Sequence, residues 1–565
     1  MNPIAPYIEP KPTQGRKAVA GVSLKAVLIG LLLALTAQGT VRAQTVKATD
    51  DGTVLKEIII FGRHSIRAPT SDTNSLDQCA ANAFPEFSVQ SGYLTPHGKQ
   101  AAGLLGAYFH DYLVHEGLLT GNTSSNLAHA YFRANTIERS YLTAARFGSG
   151  LLQCEAIPVH TYQPTPDPLD CPDPVFDPLM AGVGTVDPLR ALSEVQGVYG
   201  DGTSIAWAYS GELSLISRAL FPPGTQPLWP PGIPPTTNAP PGAVDPTTLA
   251  ITLGTNAPLT LTNHPPYYVG NVITIGGLGT IVDMADPFLM QYAEGFATND
   301  VGWGRLTLEQ VSQQTRINTL QIDILMRRPY LARVQSSSAA SHILRTMSQA
   351  ISGETLPGAF GDANSQIHVI ISSDYYVGGL AGLLNAHWLL PGYQPDFCAP
   401  GGAMVFELRQ VGGTEDYLVR VFYTAQTFDQ LRNLSALSLT NPPATMQLLI
   451  PGTAATNLDI SFNAFSNLLN NAIGPEYVEA FDKETPPGVL APYTATNATN
   501  VTASVSGNTL TIAWPADHLG WILQAQTNGL GSGQWFDVPG SDDANSLPIP
   551  INPAIPAVFY RLSRQ

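Results

Sequence analysis

The chain has 565 residues, few charged side chains (12%) and a formal net charge of −16 at pH 7. At roughly 100–200 residues per domain, this length predicts two to four structural units. The acidic balance argues against nucleic acid as a partner, because phosphate backbones are bound by basic faces. Any pocket for an anion must therefore gather its cations locally.

Residues 1–43 have the pattern of an export signal. Basic residues precede the apolar stretch 26–37, and residues 41–43 fit a small-residue cleavage site. A membrane-anchoring helix is the alternative, but the apolar run is short for about 30 Å of hydrocarbon. We therefore expect a periplasmic or secreted protein that has no membrane partner once the signal is removed.

Export makes disulfides feasible. The four cysteines, Cys79, Cys154, Cys171 and Cys398, allow three complete pairings, and the sequence does not choose among them. Their spacing lacks the paired pattern of a structural zinc site. We expect neither a metal nor a cofactor.

Strands and helices alternate along most of the sequence. Strands are predicted at 54–61, 125–134, 367–374 and 417–425. Helices are predicted at 97–118, 136–152, 305–352 and 375–390. This alternation favours an α/β fold, with a central mixed sheet flanked by helices and a smaller, mainly helical subdomain.

Composition divides the chain into regions. The catalytic region is predicted at 44–485, with the helical subdomain at about 155–355. Within it, the insertion 222–242 contains nine prolines, which prevent regular structure because they lack an N–H and have a fixed φ. A linker at 486–499 precedes a C-terminal all-β, sandwich-like module at 500–565, which alternates polar and apolar residues.

Polar side chains follow two predicted strands at the point where each strand ends. The first strand is followed by Arg63, His64 and Arg67, and the second ends in Ser373 and Asp374. Ligands of open α/β sheets bind beyond the carboxyl ends of the strands. We therefore expect these groups to converge there, joined by Arg139 from the start of the helix at 136–152.

These residue types suit phosphoryl transfer. Guanidinium forks match phosphate oxygens, a neutral imidazole nitrogen can attack phosphorus, and a carboxylic acid can protonate a leaving alkoxide. Two simpler interpretations remain open. An arginine–histidine pair in a loop is often only a salt bridge or a passive anion site, and an aspartate after a strand is often a helix cap.

The segment "RHSIRAPT", 63–70, resembles the RHGxRxP signature of the histidine acid phosphatases. Further segments resemble the branch of periplasmic phytases and glucose-1-phosphatases, including "LTPHG", "NTIERS", "GWGRLT" and "LMRRPYLARV". Together they extend over residues 54–480. The ordered set is more specific than the first motif alone.

The resemblance implies a role for each matching residue. His64 would be the nucleophile that becomes phosphohistidine, Asp374 would be the proton donor, and no metal would be needed. The phosphate would be bound by Arg63, Arg67, Arg139 and Ser373. The substrate pocket would include Thr70, Asp286, Arg327 and Tyr375.

The sequence departs from the family pattern at two positions. Ser65 stands where the family has glycine, and Ser373 stands where it has a histidine that donates to the phosphate. Loss of a charge-assisted hydrogen bond of about 1.5–3 kcal/mol would slow the chemical step roughly ten- to a hundredfold. A catalytically weakened or non-enzymatic phosphate- or phosphosugar-binding protein is therefore the alternative to a working phosphatase.

We expect an exported acid phosphomonoesterase that acts on a small phosphate monoester. The substrate is a sugar phosphate, phytate or a general monoester. The scarcity of basic residues around the first motif favours a substrate with fewer phosphates than phytate. The C-terminal module has a separate expected role, attachment to a surface or a glycan.

Overall fold

The structure is a computed structural model. It describes residues 51–563 except 78, 121–122, 155–156, 163–171, 201–202, 223–250, 254–272, 276–277, 455, 481–487, 491–499, 516–520, 528–534, 539–540 and 542–545. The predicted signal at 1–43 and nearly all of the proline-rich insertion lie outside the described residues. No described helix is long and apolar enough to cross a membrane.

The described strands, in chain order, are β1 (Thr53–Arg63), β2 (Ala130–Ala134), β3 (Val159–Thr161), β4 (Ile251–Leu253), β5 (Ile273–Ile275), β6 (Ile367–Ser372), β7 (Ala403–Val411), β8 (Tyr417–Ala425), β9 (Ala444–Gln447), β10 (Ile460–Ser461), β11 (Gly488–Leu490), β12 (Thr502–Ser506), β13 (Thr509–Ala513), β14 (Ile522–Gln526), β15 (Phe536–Asp537), β16 (Ser546–Pro550) and β17 (Phe559–Ser563).

The described α-helices are α1 (Thr73–Asp77), α2 (Pro96–His115), α3 (Thr123–Ala128), α4 (Glu138–Leu152), α5 (Pro188–Tyr199), α6 (Thr203–Ala208), α7 (Ser210–Leu220), α8 (Leu278–Ala293), α9 (Leu308–Gln314), α10 (Arg316–Ile322), α11 (Pro329–Ser352), α12 (Asp374–Leu384), α13 (Phe428–Arg432) and α14 (Phe462–Ala472). A π-helical turn, Asp323–Arg327, joins α10 to α11. Short 3-10 turns occur at Val301–Gly304 and Pro475–Tyr477.

The largest sheet of the described chain is mixed and has nine strands. Its order is β10-β8-β7-β1-β6-β2-β3-β11, and β9 pairs with the free part of β8. Strand β1 is central: it runs parallel to β6 and antiparallel to β7. Strand β2 is parallel to β6, so three neighbouring strands, β1, β6 and β2, end at the same edge of the sheet.

Helices cover both faces of this sheet. Residues of β1 alternate between two apolar cores, with Ile59 and Phe61 in one and Ile58 and Ile60 in the other. Because successive strand residues point to opposite faces, the two cores lie on opposite sides of the sheet. Helices α2 and α4 contribute to the second core, and α8, α11 and α12 contribute to the first. The predicted fold class is confirmed.

Helix α2 begins at Pro96, one residue before the predicted start at 97, and ends at His115, three residues before the predicted end at 118. Thr95 is its N-cap and accepts a hydrogen bond from the Gly98 amide, and Pro96 occupies the first helical position. Gly98 also lets the helix approach the loop that follows β1. A Cβ at Gly98 would lie 2.1 Å from the carbonyl oxygen of Ile66.

Several predicted elements have different bounds in the structure. Within 125–134, only Ala130–Ala134 is a strand, and Thr123–Ala128 is a helix. The helix predicted at 375–390 ends at Leu384, since Asn385 adopts a left-handed backbone (φ 49°). The predicted linker contains β11, which pairs with β3.

The stretch 305–352 is helical but broken, not continuous. A main interruption is at Arg328, whose backbone is extended (φ −63°, ψ 142°). Arg328 precedes Pro329, and a residue before proline avoids the α conformation because of a clash with the proline ring. Helix α11 therefore starts anew at Pro329.

The C-terminal module consists of two three-stranded antiparallel sheets, β12-β13-β16 and β15-β14-β17. Its core of Ile512, Trp514 and Leu523 is separate from the cores of the main sheet. The predicted all-β character of this module is confirmed, and its sandwich-like arrangement stays a prediction.

No disulfide is present among the residues that the structure describes. Each of the three complete pairings includes Cys171, which lies outside them. The pairing therefore stays a prediction.

Candidate active site

Eight of the ten predicted site residues line one cavity at the carboxyl edge of the sheet, and Arg63 and Arg327 do not. Arg63 is paired with Ser372 in the parallel β1–β6 register, and the His64 amide donates to the Ser372 carbonyl (2.9 Å). A cavity of about 470 Å³ opens there. Its lining residues are His64, Arg67, Thr70, Arg139, Ile273, Leu278, Gly279, Val282, Asp283, Asp286, Asn318, Gln321, Leu325, Ser373, Asp374 and Tyr375.

His64 presents an unprotonated ring nitrogen. Its Nδ1 lies 2.8 Å from the carbonyl oxygen of Ser65. A carbonyl oxygen only accepts, so Nδ1 carries the hydrogen and Nε2 keeps its lone pair. Burial, together with the nearby Arg139, Arg63 and Arg67, lowers the pKa of His64 well below its ordinary value. The ring is therefore a neutral nucleophile in a cationic setting.

Arg63, predicted to bind the phosphate, is almost completely buried and is not among the lining residues of the cavity. Its Nη1 donates to the Cys398 carbonyl (2.6 Å), and its Nη2 lies 3.3 Å from Oδ2 of Asp374. The guanidinium thus joins the end of β1 to the first residue of α12. It fixes the position of Asp374 relative to His64.

Arg67 makes a two-pronged ion pair with Asp286 of α8. Nη1 lies 2.8 Å from Oδ2, and Nη2 lies 3.4 Å from Oδ1. Both side chains line the cavity. Since the paired Asp286 offsets part of its charge, Arg67 is held firmly but is a weaker net attractor of anions than an unpaired arginine.

Arg139 reaches the cavity from the first turn of α4, where its Nη1 donates to the Gly92 carbonyl (3.2 Å). Thr143, one turn later, ties this helix to the loop after β1. Its hydroxyl donates to the Arg139 carbonyl (2.6 Å) and accepts from the Ser65 amide (3.0 Å). Helix α4 thereby holds the backbone directly after His64 in place.

The two serines that depart from the family pattern have different surroundings. Ser373 lines the cavity as the N-cap residue of α12, but its hydroxyl caps no amide, and its buried Oγ has no hydrogen-bond partner. The Ser65 hydroxyl is also buried and unpartnered, but Ser65 is not among the cavity residues. Only Ser373 is therefore placed to donate to a ligand.

Thr70 and Tyr375 both lie on the cavity wall, as the resemblance implies. The Tyr375 hydroxyl donates to Oε1 of Gln321 (2.8 Å), which orients the ring along α10. Neither residue contributes a charge.

Arg327 does not line the cavity, contrary to what the resemblance implies. Its Nη2 donates to the Ala386 carbonyl (2.8 Å) and lies 3.4 Å from Asp396, and its guanidinium stacks on the Trp388 ring. The π-helical turn packs its backbone against Gly382, where an added Cβ would lie 2.6 Å from the Arg327 Cα. Arg327 is thus a buried structural residue beside α12.

Three polar cavity residues were missed by the sequence analysis: Asp283, Asn318 and Gln321. Asp283 precedes Asp286 by three positions, so helical spacing puts both on one face of α8. This spacing is a signal that could have been used. The two amides of α10 have no such signal, because polar residues on a helix usually face solvent.

The cavity is not strongly cationic. Among its described lining residues there are two guanidiniums, from Arg67 and Arg139, and three carboxyl groups, from Asp283, Asp286 and Asp374. No cluster of metal-binding residues occurs in the described part of the chain. The carboxyl groups of the cavity therefore outnumber its guanidiniums.

The comparisons agree with this geometry. Residues 54–196 match the model of the histidine phosphatase superfamily (branch 2). Residues 54–196 therefore carry a domain of this family, which supports a phosphatase. The family resemblance predicted from the sequence is confirmed.

Individual relatives have related activities. The phytase AppA of Escherichia coli is 28% identical over 468 residues, which are 80% of this chain and 98% of that protein. The glucose-1-phosphatase of Salmonella typhimurium is 24% identical over 472 residues, which are 80% of this chain and 99% of that protein.

A solved structure confirms the fold. The apo form of Hafnia alvei phytase is 26% identical and superimposes with a TM-score of 0.64, covering 76% of this chain and 100% of that one. The same phytase is also known in complex with myo-inositol hexakis sulphate, with a TM-score of 0.62 at 25% identity.

Proposed function

We propose that this protein is an exported acid phosphomonoesterase that works through a phosphohistidine intermediate on His64. The observation that carries the proposal is the state of the imidazole: it is neutral, with Nδ1 bound to the Ser65 carbonyl and Nε2 free to act. A lone pair beside several guanidiniums is suited to attack a phosphoryl group that those guanidiniums bind.

In the first step, Nε2 of His64 attacks phosphorus and forms the N–P bond, while the P–O bond to the alcohol breaks. Arg67 and Arg139 stabilise the charge on the phosphoryl oxygens from the cavity wall, and Arg63 does so from behind. The Asp374 carboxyl group gives its proton to the leaving alkoxide, which departs as the alcohol.

In the second step, water attacks the phosphoryl group. Asp374, now a carboxylate, takes a proton from this water, the N–P bond breaks, and inorganic phosphate leaves. His64 returns to its neutral form. Arginines supply the charge stabilisation throughout, so the mechanism requires no cofactor.

The helix that carries Asp374 supports binding of an anion. Ser373, Asp374 and Tyr375, at the N-terminal end of α12, all line the cavity. The N-terminus of a helix favours negative charge through its free amides. The unpartnered Ser373 hydroxyl adds a donor at the same place, where it replaces in part the histidine that the family has.

The balance of charges in the cavity favours a substrate with a single phosphate. Two guanidiniums facing three carboxyl groups leave little net attraction for further anionic groups. Asn318, Gln321 and the Asp283 carboxyl group are instead suited to hydrogen bonds with hydroxyl groups. We propose a sugar phosphate or a similar hydroxylated monoester as the substrate, and not phytate.

A substrate panel tests this proposal. Hydrolysis of p-nitrophenyl phosphate, glucose 1-phosphate and phytate is measured at pH 4.5 with the intact protein, His64→Ala and His115→Ala. His115 is an exposed residue at the end of α2 and serves as the matched control. We expect activity that His64→Ala abolishes and His115→Ala preserves, with a higher kcat/KM for glucose 1-phosphate than for phytate. Equal rates for His64→Ala and the intact protein would refute the mechanism.

The second candidate is a weakened or non-enzymatic phosphate- or phosphosugar-binding protein, and it is favoured by one observation, the serine at position 373. This candidate predicts saturable binding of phosphate without turnover of any ester. Restoring the donor with Ser373→His separates the two: an increase in kcat supports a phosphatase that lacks one donor.

The C-terminal module is not part of the proposed chemistry. Its described residues have their own core and contribute nothing to the lining of the cavity. They carry no feature that identifies a glycan or a surface as a partner. We therefore propose only that the module is separable from catalysis.

A further inference from the structure

Asp283 is a carboxyl group that the proposed chemistry does not use. It lies on α8 three residues before Asp286, and both line the cavity. The two Asp286 oxygens are engaged by Arg67. Asp283 has no hydrogen bond and no ion pair among the residues that the structure describes, and it lines a cavity that partly shields it from solvent.

The groups that face Asp283 come from every element around the cavity. Helix α10 presents only the uncharged Asn318 and Gln321. The charged or titratable groups are Asp286 on the same helix, His64 and Arg67 after β1, Arg139 on α4, and Asp374 and Tyr375 on α12. Since Arg67 is already paired with Asp286, Asp283 has no ion-pair partner among the described residues.

The protonation of Asp283 therefore changes in the range where the enzyme is expected to work. Burial and the neighbouring Asp286 raise the pKa of Asp283 to about 6, against a smaller opposing effect of Arg67. The carboxyl group is neutral at acid pH and becomes an anion as the pH approaches neutrality. In the neutral form it can donate to an oxygen of the substrate, and in the charged form it can only accept.

We propose that Asp283 is a specificity-determining residue that excludes a second anionic group of the substrate from the cavity, and that this exclusion strengthens as the residue ionises. The phosphate beside His64 is held by the guanidiniums, whereas a second phosphate on the same molecule would extend along the wall that Asp283 forms. Hydroxyl groups at that place would instead donate to the carboxylate. The proposal rests on the proposed function and names the substrate class more narrowly: monoesters of neutral, hydroxylated alcohols.

The test compares two substrates at two pH values. The kcat/KM values for glucose 1-phosphate and fructose 1,6-bisphosphate are measured at pH 4.5 and pH 7.0 for the intact protein and Asp283→Asn. The ratio of the two kcat/KM values expresses selectivity. The corrected selectivity is the ratio of the intact protein divided by the ratio of the variant at the same pH. This division cancels the titration of the substrates themselves, since both proteins meet the same substrates.

We expect the corrected selectivity for the monophosphate to rise about three- to tenfold between pH 4.5 and pH 7.0, which is the effect of one partly screened carboxylate near a second anion. Asp283→Ser removes the same charge with a different side chain and should behave like Asp283→Asn. Asp300→Asn, which removes an exposed carboxyl group outside the cavity, should behave like the intact protein.

A corrected selectivity that stays the same at both pH values would overturn the proposal, even if the enzyme is fully active. Failure of the proposed function has a different signature, which is no hydrolysis of either ester by the intact protein. In that case calorimetric binding of the same two compounds at both pH values decides. If the affinity for the bisphosphate falls equally in the intact protein and in Asp283→Asn as the pH rises from 4.5 to 7.0, the proposal is overturned.

Discussion

Replacement of Ser373 by alanine should separate catalysis from stability. A serine that caps a helix usually stabilises it by about 1 kcal/mol relative to alanine. Ser373 occupies the N-cap position of α12, but its hydroxyl caps no amide and its buried Oγ has no partner. The substitution therefore loses no hydrogen bond within the folded protein. We expect the free energy of unfolding to change by less than about 0.5 kcal/mol.

The effect on hydrolysis should be much larger. If the hydroxyl donates to an anionic phosphoryl oxygen, that hydrogen bond is worth about 1.5–3 kcal/mol. Its loss corresponds to a decrease of roughly ten- to a hundredfold in kcat/KM. The assay is steady-state hydrolysis of p-nitrophenyl phosphate, combined with urea unfolding of the same preparations.

Ser461 offers a matched control. It is also an N-cap serine, but its hydroxyl accepts from the Ala464 amide (3.3 Å) at the start of α14. Ser461→Ala should lower stability by about 1 kcal/mol and leave kcat/KM unchanged. An unchanged kcat/KM in Ser373→Ala would refute the assigned role of this hydroxyl, and a loss of stability like that of Ser461→Ala would show that it caps the helix after all.

Four further changes have distinct expected outcomes. Gly98→Ala should destabilise the protein by about 1–3 kcal/mol and lower kcat/KM, because the added Cβ would lie 2.1 Å from the Ile66 carbonyl oxygen, next to the phosphate-binding loop. Gly103→Ala on the same helix has its nearest contact at 3.7 Å and should be neutral or stabilising. Burial raises the pKa of Glu294 from 4.5 to about 7, so the intact protein should lose stability relative to Glu294→Gln as the pH rises from 4.5 to 7, by on the order of 3 kcal/mol. Deletion of residues 500–565 should leave kcat/KM unchanged, since the module has a separate core.

Each of these outcomes has a direct check. Urea unfolding of both glycine variants shows whether the close approach to Ile66 matters. The Glu294 comparison requires unfolding at several pH values. The sign follows from protonation: the folded state keeps the proton on Glu294 to a higher pH than the unfolded state, so folding is penalised only once the unfolded carboxyl group has ionised. A parallel pH dependence in both proteins would contradict this account.

Local sequence signals predicted much of the fold. Strand β1 and its polar end depend on short patterns, an apolar run followed by a glycine and charged residues. The parallel pairing of β1 with β6 then brings Arg63 and Ser372 to one edge. This is why His64 and Asp374, 310 positions apart, could be placed together before the structure was known.

Side-chain direction was harder to predict than position along the chain. Arg327 sits in a π-helical turn that packs against the glycines of α12, and its guanidinium turns away from the cavity to the Ala386 carbonyl. Asp283 is the opposite case, a residue that lines the cavity but was not predicted to do so. It was missed because a carboxylate on an amphipathic helix usually faces solvent. Whether a helical residue points into a site depends on the neighbouring elements, which the local pattern does not specify.

The covalent intermediate on His64 is the most direct test of the central claim. The enzyme is mixed with p-nitrophenyl phosphate, quenched within milliseconds in alkaline denaturant, in which phosphohistidine is stable, and digested for mass spectrometry. The account predicts a phosphoryl group on His64 that appears during turnover, is absent in His64→Ala and persists in His115→Ala. Turnover without any adduct, or an adduct on a different residue, would contradict it.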